Sequence, residues 1–320
     1  MSASHISRNL ILLAAVLLIA FVMQFVLPTY YVLTITRMMV LAVFAVGYNM
    51  LLGYVGLLSL GHAIFFAAGL YFAGLATYHL GISVPVAFLI GIAAAFVLAL
   101  AIGVVALPTM RVSFMIVTLM FAQVGFLTTL YFAEYTGGQD GLSLPHAARQ
   151  FHLFGTTFSL ASDQVRFNLA FGLLAIALAV SFVVLTSRRG RIFSAIRENE
   201  GRTEMLGFNV FASKLEAFLY SGTIAGAAGA AYGLLFGYIG STFASIQYSI
   251  EVLLFTLLGG AGTLLGPLLG VLLMTTLIDQ LSELTTAYLL VIGVVLIVLV
   301  LWFPKGILGT IREKWLPWLM

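Results

Sequence analysis

The sequence predicts an all-α, polytopic membrane protein of eight to ten transmembrane helices with both termini cytoplasmic. Three observations carry that expectation. The 320 residues are 62% hydrophobic and only 8% charged, against about 25% charged in a soluble domain. Apolar runs of spanning length recur, each able to cross roughly 30 Å of hydrocarbon, and lipid offers their backbone no partners, so they must be helical. Six of the fourteen basic residues, Arg188, Arg189, Arg191, Arg197, Arg202 and Lys214, crowd into one stretch between long apolar segments.

Ten apolar segments follow in order: 10–27, 30–52, 57–79, 84–107, 113–132, 168–186, 214–237, 249–258, 267–281 and 285–303. The first could pass for a secretory signal. No A-x-A-like cleavage site follows it and further spans come directly after, so it is read as the first helix. Segment 249–258 is short for a span, and only Gly53-Tyr54-Val55-Gly56 separates 30–52 from 57–79. Both places read as Gly-interrupted helices, broken or re-entrant, which sets the range of eight to ten. Basic residues orient the spans. The 187–214 loop falls in the cytoplasm, His5, Arg8, Arg111, Lys305, Arg312 and Lys314 fall on the same side, and the 133–167 loop falls outside. A single transmembrane domain covers 1–320.

The two interruptions resemble each other, LLGYVG at 51–56 and LLGGAG at 257–262. Paired Gly-broken segments in two halves point to a transport site; chance likeness between Leu/Gly-rich stretches is the other reading. Gly222, Gly226, Gly229, Gly233 and Gly237 share one helix face, a small-residue stripe for close packing within the chain or against another subunit. The glycines of 259–266 lack the Lys-Ser/Thr of a phosphate loop, so no nucleotide hydrolysis is expected of this chain. Polar residues within spans are few: Arg37, Asn49, His62, Gln123, Glu251 and Asp279. Arg37 and Glu251 sit near the outer ends, where snorkelling or a water-filled vestibule accommodates them. His62 reads as a hydrogen-bonded helix-end residue or, alternatively, a proton relay. The chain has no cysteine, and no carboxylate pair or His/Glu spacing suggests a metal or acid–base site. Neither a metal nor a nucleic-acid partner is expected.

Within the charged loop, 191–198 can form a helix with Ile192, Phe193 and Ile196 on one side. Asn199 can N-cap a second short helix carrying Glu200 in its first turn, with Gly207 at its end. Glu198 and Arg202 stand at i,i+4. Met205, Leu206, Phe208 and Phe211 make an apolar knob, suited to a groove on another protein or to the surface of anionic lipid.

GYVGLLSLGHAIFFAAGLY (53–71), MIVTLMFAQV (115–124), TGGQDGL (136–142), the charged loop (190–218) and LLGGAGTLLGPLLG (257–270) resemble the LivM-type permeases. Those are membrane subunits of branched-chain amino acid ABC importers, with urea/amide permeases as close relatives. The likeness spans about 35 to 305, and the motifs occur in the family's order. It implies a second homologous permease subunit, two cytoplasmic ATPases that hold ATP and Mg, an extracytoplasmic solute-binding protein, and residence among the lipids of a bacterial inner membrane. No cofactor would sit in this chain. By the same likeness 195–207 corresponds to the element that couples to the ATPase, through Ile196, Arg197, Glu198, Asn199, Glu200, Glu204, Leu206 and Gly207. Arg202-Thr203-Glu204-Met205 stands where the family usually has more alanine. On that reading the helix breaks place the translocation path along Asn49, Gly53, Gly56, Ser59, His62, Glu251, Gly259, Gly260 and Gly262. The solute expected is a branched-chain amino acid; another amino acid, urea or a short amide is the alternative, and a stand-alone channel or ion-coupled carrier is the alternative class.

Overall fold

A computed structural model describes residues 3–109, 111–153, 156–285, 287–316 and Trp318. The side chains of His5 and Arg111 lie outside the described part. Among the described residues, eight helices are long and apolar enough to cross a membrane, and two shorter apolar helices accompany them. In chain order the first half contains α1 (Ala3–Val26), α2 (Thr29–Asn49), α3 (Ala63–Leu80), α4 (Val84–Ala106), α5 (Arg111–Tyr131) and the single turn α6 (Ala133–Thr136). Three short strands and α7 (Asp163–Thr186) follow. Then come α8 (Arg188–Glu198), α9 (Glu200–Met205), α10 (Val210–Phe236), α11 (Ile246–Gly259), α12 (Gly266–Leu284), α13 (Tyr288–Trp302) and α14 (Ile307–Lys314).

Helix α2 is the axis. From Met38 to Met50 every residue is buried, as expected of a helix that is apolar all round and enclosed by neighbours. It packs against α7, α10, α11 and α12, while α3 and α4 pack on α10. The glycine stripe of α10 lies in that second contact. A methyl group at Gly222 would meet Ala99 of α4 at 2.7 Å, and one at Gly229 would land on the backbone of Phe66 in α3. Small residues let these backbones touch, so the stripe joins helices of this chain. Helix α1 sits at the edge against α7, with Phe21 on Phe171 at 5.4 Å between ring centroids. Its start also meets the chain's other end, where Asn9 Nδ2 donates to the Trp318 carbonyl at 2.8 Å.

Two differences from the apolar pattern have clear causes. The fold is helical, yet the 133–167 loop carries short strands: β1 (Leu142–Ser143) pairs antiparallel with β4 (Tyr238–Ile239), and β2 (Gln150–Leu153) with β3 (Thr156–Ser159). Two-residue strands have no periodicity to read, and β1 finds its partner almost a hundred positions away. Arg149 pins this region to the end of α10: its buried guanidinium donates to the carbonyls of Leu234 (3.0 Å), Leu235 and Leu160 (3.3 Å). Helix α10 also begins at Val210 rather than 214. Asn209 caps it, its Oδ1 accepting from Ala212 N–H at 2.9 Å. The ammonium of Lys214, buried inside the helix, is neutralised by Glu200.

Candidate functional site at the joined helix breaks

The two interruptions lie side by side. After Asn49, α2 continues as one wide turn over Met50–Val55 and stops at Gly56; helix resumes only at Ala63. Between α11 and α12 the backbone leaves helical geometry over 260–265. Gly56 and Gly262, equivalent in the LLGYVG/LLGGAG comparison, have φ +81° and +82°, left-handed values that a side chain would strain. Asn49 stitches the breaks together. Its Nδ2 donates to the Thr263 carbonyl at 2.8 Å and its Oδ1 accepts from Gly262 N–H at 2.9 Å, so two backbone groups of the second break are satisfied by the end of the first helix. Asn49→Leu leaves those groups buried without partners, at about 1–3 kcal/mol each. The expected result is a drop of several degrees or more in the melting temperature of the detergent-solubilised protein; an unchanged melting curve would show the stitch to be dispensable.

Two arginines clasp the stitched breaks. Arg197, near the end of α8, donates to the Gly53 carbonyl, and Arg312 of α14 donates to the Gly262 carbonyl at 2.9 Å. A side chain at Gly262 would collide with Arg197 at 2.7 Å, and one at Gly260 with the Gly309 backbone at 2.6 Å. Lys305 pairs with Glu313 at 2.6 Å nearby. With Leu52, Ala261 and Thr263 these groups line a cavity of about 650 Å³. Gly53, Gly56, Gly259, Gly260 and Gly262 of the expected path therefore cluster with Asn49 beneath the charged loop.

Ser59 and His62 stand elsewhere, fully buried among α2, α3 and α10. His62 Nε2 lies 3.1 Å from Ser221 Oγ, which donates to the Gly47 carbonyl at 2.6 Å; Tyr48 donates its hydroxyl proton to the Ser59 carbonyl at 2.9 Å. The His62 ring also packs edge-on to Tyr48 and Phe65. This bonding braces the start of α3. Glu251 lies apart from both groups, in a pocket it shares with Arg37. Arg312, Thr263 and Ser221 were not among the residues expected at a site. Their partners are 50 or more positions away, and only Arg312, as one of three basic residues near the C-terminus, offered a signal.

The charged loop is built as two capped helices. Ser187 caps α8, accepting from Arg189 N–H at 3.1 Å, and Phe193 and Ile196 turn inward, Phe193 being fully buried. Asn199 then takes an extended conformation and caps α9, its Oδ1 accepting from Arg202 N–H at 2.9 Å. That break between the helices removes the i,i+4 geometry expected of Glu198 and Arg202. No ion pair joins those two among the described residues; Glu200 pairs with Lys214 and Arg189 with Glu216 instead. At the far end Gly207 has φ +84°, Gly207 N–H bonds the Glu204 carbonyl at 2.9 Å and Phe208 N–H that of Thr203 at 3.4 Å, a Schellman closure. The closure leaves Met205 89% and Leu206 68% exposed, and Phe211 is exposed beside them.

A bundle of membrane-length helices, with the break after α2 held by Arg197 of α8 and the break after α11 by Arg312 of α14, defines a multi-pass membrane protein. Similarity makes the class specific. The chain belongs to the family described as "Branched-chain amino acid transport system / permease component", whose model matches residues 30–301. It is similar to the high-affinity branched-chain amino acid transport system permease protein LivM of Salmonella typhimurium. The two are 28% identical over 336 aligned positions, covering 96% of this chain and 76% of that protein. The LivM protein of Escherichia coli K12 is likewise 28% identical, over 332 positions with the same coverage. No solved structure gives a significant match.

Proposed function

We propose that this chain is one of two membrane subunits of an ABC importer in a bacterial inner membrane, carrying branched-chain amino acids inward. A single permease domain spans 1–320, with the 133–167 loop facing the solute-binding protein and the 187–214 loop facing two cytoplasmic ATPases. ATP and Mg reside on those partners; the chain contributes no nucleotide site of its own. The observation that carries the reading is the Arg197–Gly53 contact. It ties α8, which leads through Asn199 into the helix that presents Met205 and Leu206, to the break in the central span. When the ATPases close, α8 and α9 move as one capped unit. The pull on the Gly53 carbonyl, relayed by Asn49 to the second break, rearranges the inner ends of α2, α11 and α12. The relatives, both named for high-affinity branched-chain amino acid transport, support the solute, and the family supports the role.

The test is solute-stimulated ATP hydrolysis and uptake by the four membrane and ATPase subunits with the binding protein in proteoliposomes. Arg197→Ala removes a charge-assisted hydrogen bond, so uptake is expected to fall about 10- to 100-fold while the variant still inserts and assembles. Wild-type uptake by that variant would sink the coupling role. Urea or amide uptake in place of leucine would reassign the solute, and uptake by the chain alone under an ion gradient would reassign the class.

A further inference from the structure

Helices α2 and α11 each contain a single charged residue, Arg37 and Glu251 respectively. A charge within a span costs about 2.5–3.5 kcal/mol on insertion scales, so two of opposite sign facing one space need a reason. They line the same pocket, of about 270 Å³, with Tyr232, Thr242, Phe243 and Tyr248. The simplest reason would be an ion pair between them. Yet among the described residues no ion pair within 4.0 Å joins them. Arg37 is the only exposed residue of α2 beyond Tyr31, and Glu251 is half-buried. A second polar group at this pocket is also uncommitted: the Tyr248 hydroxyl is buried and has no hydrogen-bond partner among the described residues. The rest of the lining is largely aromatic, with Phe243 5.2 Å from Tyr248 and 4.9 Å from Tyr232 between ring centroids. The volume lies below the 300–1,000 Å³ or so of drug-sized sites, which suits a small metabolite.

We propose that this pocket receives a free α-amino acid as its zwitterion, the Arg37 guanidinium taking the carboxylate and the Glu251 carboxylate the ammonium. The proposal rests on the importer reading above and names a solute subsite within it. The pocket is neutral in sum and so is the ligand, and each ligand charge meets the opposite charge across the gap. Charge-assisted bonds of this kind are roughly twice as strong as neutral ones. The aromatic side accepts an apolar side chain without selecting its branching. Urea and simple amides carry neither charge and would leave both residues uncompensated.

The experiment uses the assembled importer with leucine-loaded binding protein in proteoliposomes. Arg37→Gln and Glu251→Gln are each expected to lower leucine uptake about 30-fold or more, since truncating one member of a desolvated charge contact acts at that scale. Glu251→Asp and Arg37→Lys, which keep the charges with less or different reach, should retain more uptake than the glutamine variants; equal loss in both series would mark a packing role and overturn the proposal. Uptake within about twofold of wild type in either glutamine variant would overturn it as well. If the wild-type importer moves no amino acid at all, the importer reading fails instead, and the two failures are told apart by that control.

Discussion

Replacing Met205 and Leu206 together with aspartate is expected to abolish capture of the ATPase subunits while leaving the permease in the membrane. Both side chains project from the Schellman-closed end of α9 and are largely exposed, so the change removes no internal packing. The backbone caps that shape the helix, at Asn199 and Gly207, are untouched. An exposed apolar pair presented by a rigid, capped turn has the character of an interface anchor, and such anchors contribute about 2–4 kcal/mol, or roughly 30-fold or more in affinity. Co-purification of tagged permease with ATPase, measured beside membrane yield, decides the matter. Undiminished ATPase recovery would move the knob to the lipid surface.

Gly229→Leu is expected to have the largest effect on folding. A side chain there would enter the Phe66 carbonyl of α3, and that atom belongs to backbone that cannot swing aside. Forcing α10 away from α3 opens the most extensive helix contact in the bundle, at a cost of at least about 3 kcal/mol. Gly172 in α7 supplies the matched control, since nothing lies within 4 Å of a methyl group placed there. Fluorescence-detected size exclusion should show the Gly229 variant aggregated and Gly172→Leu monodisperse. Equal profiles would mean that the stripe tolerates bulk and that α3 and α10 separate freely.

These cases also mark how far the residues alone could be read. The spans were legible because a run of about 20 apolar residues without charge has one stable form in lipid. The breaks were legible because glycine pairs interrupt otherwise uniform Leu-rich runs. Caps such as Asn199 and Gly207 follow short local rules and could be placed to the residue. The rest is set by partners far apart in the chain. Nothing near Asn49 announces Gly262 and Thr263, and nothing near His62 announces Ser221. Lys214 looked like the edge of a loop because it is charged, and its place within α10 depends on Glu200, fourteen positions earlier. Arg37 and Glu251 were visible as isolated charges, but their common pocket is a property of how α2 and α11 lie together.

Helix α10 is unbroken over 27 residues, about 40 Å at 1.5 Å per residue. At one end Lys214 holds α9; at the other Arg149 fastens the hairpin region onto its last carbonyls. On the proposed importer reading, a strut held at both ends would carry displacement from one face of the protein to the other. Thermodynamic reciprocity then applies: a partner that grips the hairpin end more tightly in one position of the strut must change affinity at the loop end by the same factor, and the reverse. In the proposed importer, tightness on one face of the membrane would then report occupancy at the other.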